Sequence, residues 1–251
     1  MKFKQLFGLI GYPLSHSFSK KYFNEKFIEE GLSEDFYYEL FPLERIELFP
    51  ELLVKYEQFR GINVTIPYKQ QIIPFLDILS DEASAIGAVN TILIKNGQSK
   101  GYNTDVYGFE KSLTDKLENA GIQPENALIL GTGGAAKAVH YVLEKKGINF
   151  SYVSRNKEVS GVLTYQELTE KIIKSHQLII NTTPLGMYPK IDTLPNIPYH
   201  YLGKEHLLFD LVYNPKETAF LKEGKKRKST IINGLEMLHL QAEQAWTIWT
   251  S

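Results

Sequence analysis

A glycine-rich segment, Gly131-Thr132-Gly133-Gly134-Ala135, stands between a short apolar run and a stretch with helical apolar spacing. In such a segment one glycine makes a tight turn, and another lets the backbone approach a pyrophosphate. The phosphates then lie at the positive N-terminus of the helix. The GxGGA spacing departs from GxGxxG, so an ordinary glycine-rich turn is the alternative. The strand, turn and helix context predicts a dinucleotide site formed by all five of these residues.

The segment about 20 residues further on, where such sites bind the ribose, predicts which dinucleotide is bound. It reads Ser154-Arg155-Asn156, and no carboxylate occurs before Glu158. A carboxylate would repel a ribose 2′-phosphate, whereas a guanidinium can pair with it through two hydrogen bonds. The pattern therefore favours NADP (NADPH) over NAD. The alternative is that Arg155 is only a solvated loop charge.

Three polar clusters lie in the N-terminal half. Ser15 and Ser17 follow a Gly-Tyr-Pro turn, and Thr65 and Lys69 follow an apolar run. Asn90-Thr91 and Asn103-Thr104-Asp105 add amides, hydroxyls and a carboxylate. Together they could hydrogen-bond a small polyhydroxylated acid. Each cluster alone has another explanation, since serine and asparagine often form turns and a single lysine is usually solvated.

The elements that must position these groups alternate between strands and helices. Such alternation predicts βαβ units and parallel sheets, hence an α/β fold. Strands are predicted at 7–11, 36–41, 61–66, 127–130, 149–153, 178–181, 208–212 and 230–232, helices at 22–28, 44–56, 105–119, 134–146 and 235–249, and a hairpin turn at 96–97. We predict two domains, residues 1–103 plus the returning C-terminal helix 235–251, and a Rossmann-type domain of residues 104–234.

Composition excludes several classes of site. The chain of 251 residues has no cysteine, which rules out disulfides, thiolate catalysis and zinc–thiolate sites. Its formal net charge of −1 gives no electrostatic reason to bind nucleic acid or a membrane. The apolar stretch after Gln5 is too short for a signal peptide, and the six histidines form no HxxxH pair. We expect a cytoplasmic protein without a metal site, acting as a monomer or homodimer.

Eight motifs occur in order across almost the whole chain: GYPLSHSFS, NVTIPYK, GAVNT, GYNTD, GTGGAA, NTTPLGM, DLVYNP and GLEMLHLQA. This set resembles the shikimate dehydrogenase family. The resemblance implies an NADP-dependent oxidoreductase of the shikimate pathway, which leads to chorismate and the aromatic amino acids. It also implies that one domain binds the substrate and a Rossmann domain binds the cofactor.

The resemblance also implies residue roles, carried over motif by motif. The catalytic pair would be Lys69 and Asp105. Substrate contacts would come from Ser15, Ser17, Thr65, Asn90, Asp105, Tyr213 and Gln241. Cofactor contacts would come from Gly131, Thr132, Gly133, Gly134, Ala135, Ser154, Arg155, Asn156, Leu211, Gly234 and Asp81.

The chain departs from the family pattern in two places. The first motif usually continues Ser-Pro-x-x-His-Asn, but Lys20 and Phe23 replace the proline and histidine here. We expect an altered entry into the first helix rather than lost activity. The phosphate motif, usually Asn-Arg-Thr, reads Ser154-Arg155-Asn156, and the retained arginine preserves the preference for NADP.

Two other functions stay open at this stage. One is a sister dehydrogenase acting on quinate or an aminated analogue of shikimate. The other is a nucleotide-binding regulatory module that has lost its chemistry, against which the retained Lys69 and Asp105 argue. A serine hydrolase built on Ser15-His16-Ser17 is set aside because neighbouring residues point apart and no GxSxG elbow occurs.

Overall fold

The computed structural model describes residues 4–14, 17–155 and 161–251. The chain forms two compact units, one containing the residues up to Thr104 together with Ala242–Ser251, the other Asp105–Gln241. Each unit contains a six-stranded sheet with helices, so the predicted α/β class is confirmed. The second break between the units lies within the last helix, whereas the sequence placed it before Leu235. The assignment of substrate and cofactor to the two units remains a prediction.

The first unit is built around a mixed sheet with the strand order β2-β1-β3-β5-β6-β4. Its elements are β1 (Gln5–Gly11), α1 (Phe18–Glu29), β2 (Phe36–Pro42), α2 (Phe49–Lys55), β3 (Phe59–Val64), β4 (Ile78–Leu79), α3 (Asp81–Ile86), β5 (Thr91–Lys95) and β6 (Gln98–Tyr102). Strands β2, β1 and β3 are parallel, and β5 runs antiparallel to both β3 and β6. The predicted hairpin at 96–97 therefore joins β5 to β6.

Aromatic side chains form one of the cores of the first unit. Trp249 is 1% exposed and packs with Phe7, Phe23 and Tyr38. Its indole N–H donates to the carbonyl oxygen of Ile92 at 2.9 Å. The C-terminal segment 242–251 is thereby held against this sheet, with Trp249 packed in the aromatic core.

The second unit has an entirely parallel sheet with the strand order β12-β11-β10-β7-β8-β9. Its elements are the part of α4 (Thr104–Ala120) after Thr104, β7 (Asn126–Leu130), α5 (Gly134–Lys145), β8 (Asn149–Ser154), β9 (Leu163–Thr164), α6 (Glu170–Ser175), β10 (Leu178–Asn181), β11 (Leu207–Asp210), α7 (Ala219–Lys226), β12 (Thr230–Asn233) and the part of α8 (Leu235–Thr250) before Ala242. Strand β7 lies between β8 and β10, so the strand order reverses there. Ligands of such sheets bind outside the carboxyl ends of the strands at this switch point.

One predicted helix differs from the structure, and another helix ends in a basic cluster. The helix expected at 44–56 is a short 3₁₀ turn, Ile46–Leu48, followed by α2, where Pro50 occupies the first turn. Proline lacks an N–H and is favoured at a helix start. Helix α7 continues through Lys226 and so ends within the exposed cluster Lys225–Lys228. Cations in the last turn of a helix interact favourably with its negative end.

Candidate active site

The loops that follow β1 and β3 are joined at one edge of the first sheet. Ile10 is paired with Val64, so the two parallel strands end side by side. The N–H of Thr65 donates to the carbonyl oxygen of Ile10 at 2.9 Å. A Cβ atom on Gly11 would overlap the methyl group of Thr65. Glycine at this position therefore lets the two loops approach, and it fixes the half-buried Thr65 at the sheet edge.

The loop after β1 leads into α1, whose N-cap is Ser17. The Ser17 hydroxyl makes no capping hydrogen bond, and α1 has no acidic residue in its first turn. A hydroxyl at this position is therefore compatible with binding an anionic group. Ser15, the other predicted carboxylate-binding serine, lies outside the described residues.

Lys69 lies on the loop after β3, and hydrogen bonds fix its backbone. The N–H of Tyr68 donates to the carbonyl oxygen of Thr65 at 2.9 Å, and the buried Tyr68 hydroxyl donates to that of Leu43 at 2.5 Å. The carbonyl oxygen of Lys69 itself accepts the N–H of Val89 at 2.7 Å. The base of the Lys69 side chain is thus held between two loops of the first unit.

Asn90, just before β5, is 4% exposed, and its side chain holds the start of α4. Its Oδ1 accepts the Thr104 N–H at 2.7 Å, and its Nδ2 donates to the Thr104 hydroxyl at 3.0 Å. Asn63 of β3 donates to the Asn90 carbonyl oxygen at 3.3 Å. Asn63 was not among the predicted site residues, although an amide between the apolar Ile62 and Val64 is a usable signal. Asn90 orders this edge, and its contact with substrate remains a prediction.

The helices that carry Asp105 and Gln241 pack together within the second unit. Asp105 is in the first turn of α4, and Gly108 lies one turn further along the same face. A Cβ atom on Gly108 would lie 2.5 Å from the Met237 carbonyl oxygen and 3.2 Å from the Gln241 Cβ. Because Gly108 has no side chain, α8 packs closely on the face of α4 that carries Asp105.

The glycine turn has the form that the sequence predicted. Gly131 has φ 108°, in the left-handed region, and its N–H donates to the Val153 carbonyl oxygen at 2.8 Å. Gly133 is the N-cap of α5, and a Cβ added there or on Gly134 would meet nothing within 4 Å. Thr132 and Ala135 are exposed, and the first turn of α5 holds no acidic residue. The helix start is therefore open and suited to bind a pyrophosphate.

Ser154 ends β8, the strand next to β7, and the exposed Arg155 follows it. Ser154 is paired across the sheet with Thr164 of β9. Burial raises the pKa of the Tyr165 hydroxyl, and the positive charge of Arg155 opposes that rise. The Arg155 guanidinium therefore acts on the segment that follows β9. Asn156, the third predicted residue of this group, lies outside the described residues.

The segments after β11 and β12 carry two predicted cofactor contacts, Leu211 and Gly234. Leu211 donates its N–H to the Asn181 carbonyl oxygen at 3.0 Å. A Cβ atom on Gly234 would overlap the Leu211 carbonyl oxygen, so only glycine permits this contact. Tyr213, a predicted substrate contact, is 40% exposed. These three residues lie beyond the carboxyl ends of their strands, as the switch-point rule expects.

Asp210, which the sequence analysis did not single out, organises the same region. It is fully buried and accepts the Thr218 hydroxyl at 2.5 Å, the Val212 N–H at 3.1 Å and the Asn181 Nδ2 at 2.9 Å. Burial raises the Asp210 pKa to about 6, although these three donors lower it. A carboxylate at the end of an apolar strand is the sequence feature by which Asp210 could have been identified. Asp210 holds the loops after β10 and β11 in place.

Asp81, a predicted cofactor contact, begins the six-residue helix α3 and is exposed. Ser80 caps this helix by accepting the Ala83 N–H at 3.2 Å. An acidic residue in the first turn stabilises a helix start, which accounts for Asp81 without a cofactor. Its contact with NADP remains a prediction, as does the pairing of Lys69 with Asp105.

Comparison with known proteins identifies the family. The model of the shikimate dehydrogenase substrate binding domain matches residues 9–92. A shikimate dehydrogenase (NADP(+)) of Clostridium beijerinckii is 42% identical over 256 residues, covering 98% of this chain and 92% of the relative. The chain belongs to the shikimate dehydrogenase family. The predicted resemblance is therefore confirmed.

Solved structures of the shikimate dehydrogenase family have the same fold. The Thermus thermophilus enzyme, in complex with NADP(H) and shikimate, is 32% identical with a TM-score of 0.81, covering 98% of this chain and 93% of its own. A quinate dehydrogenase from Corynebacterium glutamicum, in complex with NAD, is 27% identical with a TM-score of 0.87, covering 99% and 94%. Relatives thus include proteins crystallised with either dinucleotide.

Neither a metal-binding cluster nor a membrane-spanning helix occurs among the described residues. In 4–14, 17–155 and 161–251, no group of three or more histidine, aspartate or glutamate side chains could hold a metal ion. Within the same ranges, no helix has the length and apolarity needed to cross a membrane.

Proposed function

We propose that this chain catalyses the reversible NADPH-dependent reduction of 3-dehydroshikimate to shikimate. The observation that carries the proposal is the 42% identity, over 98% of the chain, to a relative named shikimate dehydrogenase (NADP(+)). The reaction belongs to the shikimate pathway, which supplies chorismate and the aromatic amino acids. We further infer that the protein acts in the cytoplasm on a small-molecule substrate, as a monomer or homodimer.

The second unit offers one position suited to the pyrophosphate of NADP and another suited to its 2′-phosphate. The open start of α5, with glycines at the N-cap and first position, suits the pyrophosphate, and Ser154 and Arg155 suit the 2′-phosphate. When bound, NADPH supplies the hydride that reduces the ketone. Leu211 and Gly234 border the nicotinamide in this proposal. The close approach of Gly234 to the Leu211 carbonyl oxygen sets the shape of that border.

The substrate contacts in this proposal are the ones that the family resemblance implies. Ser15 and Ser17 bind the substrate carboxylate. The role of Ser17 is supported by its hydroxyl, which makes no capping hydrogen bond at the start of α1. Thr65, Asn90, Tyr213 and Gln241 surround the ring and its hydroxyl groups, together with Asp105. The roles of Thr65 and Asn90 are supported by their positions at the same edge of the first sheet. The role of Gln241 is supported by the close packing of α8 on the face of α4 that carries Asp105.

Lys69 and Asp105 perform the proton transfer. The Lys69 ammonium donates a proton to the substrate oxygen as negative charge develops there, and it takes the proton back in the reverse direction. Asp105 orients the lysine and the reacting hydroxyl. Positioned acid–base groups of this kind contribute about 10²–10⁴-fold to rate.

Quinate with NAD is the second candidate, because the quinate dehydrogenase structure aligns with a TM-score of 0.87. Arg155, and the absence of a carboxylate at Ser154, favour NADP and shikimate instead. The absorbance of NADPH or NADH would be followed with shikimate and NADP, and with quinate and NAD. We expect the highest kcat/KM for shikimate with NADP. Higher kcat/KM for quinate with NAD would establish the second candidate, and no turnover with either pair would refute both.

A further inference from the structure

A carboxylate lies beside the strand end that carries Ser154 and Arg155. Strand β9 runs parallel to β8 and pairs Thr164 with Ser154. The Thr164 N–H donates to Glu167 Oε2 at 2.7 Å, and the Thr164 hydroxyl donates to the same oxygen at 3.0 Å. The first of these bonds is one half of a capping box at the start of the 3₁₀ turn Tyr165–Glu167; in the other half the Thr164 side chain accepts the Glu167 N–H. The position of the Glu167 carboxylate is therefore fixed relative to β9.

The distance from this carboxylate to the end of β8 follows from the sheet. Neighbouring strands lie about 4.8 Å apart, which places Glu167 Oε2 within roughly 8 Å of the Ser154 backbone. That separation is comparable with the Debye length of about 8 Å at physiological ionic strength. The charge of Arg155 also reaches Tyr165, which lies between Thr164 and Glu167 in the chain. Glu167 and Arg155 thus place opposite charges around one strand end.

Opposite charges at this position act unequally on the two cofactors. A ribose 2′-phosphate carries a charge of about −1.5 to −2, whereas the 2′-hydroxyl of NAD carries none. The Glu167 carboxylate repels only the phosphorylated ribose, and it draws on the same positive charge of Arg155 that would bind the phosphate. Both effects weaken NADP binding relative to NAD binding.

We propose that Glu167 is a specificity-determining residue that limits the preference of this chain for NADP over NAD. The inference rests on the proposed function, because it takes the end of β8 as the 2′-phosphate site. It extends that function by naming a residue, outside the glycine turn and the Ser154-Arg155 motif, that sets the ratio of the two affinities.

Replacement by glutamine separates charge from structure. Glutamine also serves in a capping box, so Glu167→Gln keeps an acceptor for the Thr164 N–H while it removes the negative charge. Glu170→Gln is the matched control, since Glu170 is exposed in the first turn of α6 and pairs with Lys174 at 2.7 Å. Glu167→Ala removes both the charge and the acceptor, and it gives a second variant for the same comparison.

The experiment measures the Kd of NADP+ and of NAD+ by calorimetry, without substrate, for the wild type and all three variants. With the Ser154 backbone taken as the position of the 2′-phosphate, Coulomb's law at about 8 Å in a high-dielectric surface environment predicts that Glu167→Gln raises the ratio Kd(NAD+)/Kd(NADP+) roughly threefold to sixfold at low salt. Glu167→Ala should raise it similarly, and Glu170→Gln should leave it near the wild-type value. At about 1 M salt, where the Debye length is about 3 Å, the increase should largely disappear.

An unchanged or lower ratio in a folded Glu167 variant would overturn the proposal. An increase that persists at high salt would also overturn it, because a structural rearrangement is not screened by ions. Shikimate oxidation by the wild type is assayed separately. If the wild type binds NADP+ but does not oxidise shikimate, the proposed substrate is refuted. The ratio Kd(NAD+)/Kd(NADP+) still decides the role of Glu167 in that case.

Discussion

Replacement of Asp210 by asparagine should remove a pH-dependent part of the stability of the second unit. The Asp210 carboxyl is fully buried, and its pKa is raised from 3.8 to about 6 in the folded protein. A raised folded-state pKa means that the native state binds the proton more tightly than the unfolded chain does. The contribution is therefore fully present below pH 3.8 and is lost as the pH rises through about 6.

The size of this effect follows from the shift. Each pKa unit corresponds to about 1.36 kcal/mol, so a shift from 3.8 to about 6 corresponds to about 3 kcal/mol. Asparagine can keep the same hydrogen bonds, because its Oδ1 can accept from Val212 and Asn181 while the Thr218 hydroxyl turns to accept from its Nδ2. The asparagine does not titrate. The stability of the wild type relative to Asp210→Asn should therefore fall by about 2.4 kcal/mol between about pH 4 and pH 7.

Urea denaturation of both proteins at a series of pH values measures this difference directly. Asp210→Ala, which leaves the three donors without an acceptor, should be less stable than Asp210→Asn at each pH. A difference between wild type and Asp210→Asn that stays constant from about pH 4 to pH 7 would refute the reasoning, because it would mean that the carboxyl does not titrate in this range.

Three further substitutions test the binding and packing arguments. Ser17→Ala should raise the KM for shikimate roughly tenfold to a hundredfold with a smaller change in kcat, since a hydrogen bond to a charged group contributes about 1.5–3 kcal/mol. An unchanged KM would mean that the substrate carboxylate binds elsewhere. Gly234→Ala should weaken NADP binding in calorimetry, because the new methyl group overlaps the Leu211 carbonyl oxygen, and wild-type affinity would show that this border tolerates displacement. Trp249→Ala should lower the free energy of unfolding by about 3–5 kcal/mol in urea denaturation, and a loss below about 1 kcal/mol would contradict its place in the aromatic core.

Local features were the ones that the sequence predicted well. The glycine turn at 131–135 depends on a few adjacent residues and on the strand and helix that flank it, so its geometry followed from the pattern. Strand β9 has two residues and α6 has six, too few for apolar periodicity to indicate either element. Helix α4 was predicted because its apolar residues recur over 17 residues.

Features that depend on contacts between distant residues could not be predicted in the same way. The Asp210 cluster joins residues of β10, β11 and the N-cap of α7, which are up to 37 positions apart, from Asn181 to Thr218. The contact of Asn63 with Asn90 depends on the register of β3 with β5. Neither periodicity nor local motif specifies such register. The roles of Lys69 and Asp105 came from the family resemblance, and they remain predictions.

The most direct test of the proposed mechanism is the turnover of Lys69→Ala with shikimate and NADP+. Lys69→Ala should lower kcat by about 10²–10⁴-fold, because the positioned acid is lost, while KM for shikimate stays within a few-fold of the wild type. Unchanged unfolding behaviour and NADP+ affinity would show that the protein is otherwise intact. A kcat equal to that of the wild type would remove Lys69 from the chemistry and contradict the proposed proton transfer.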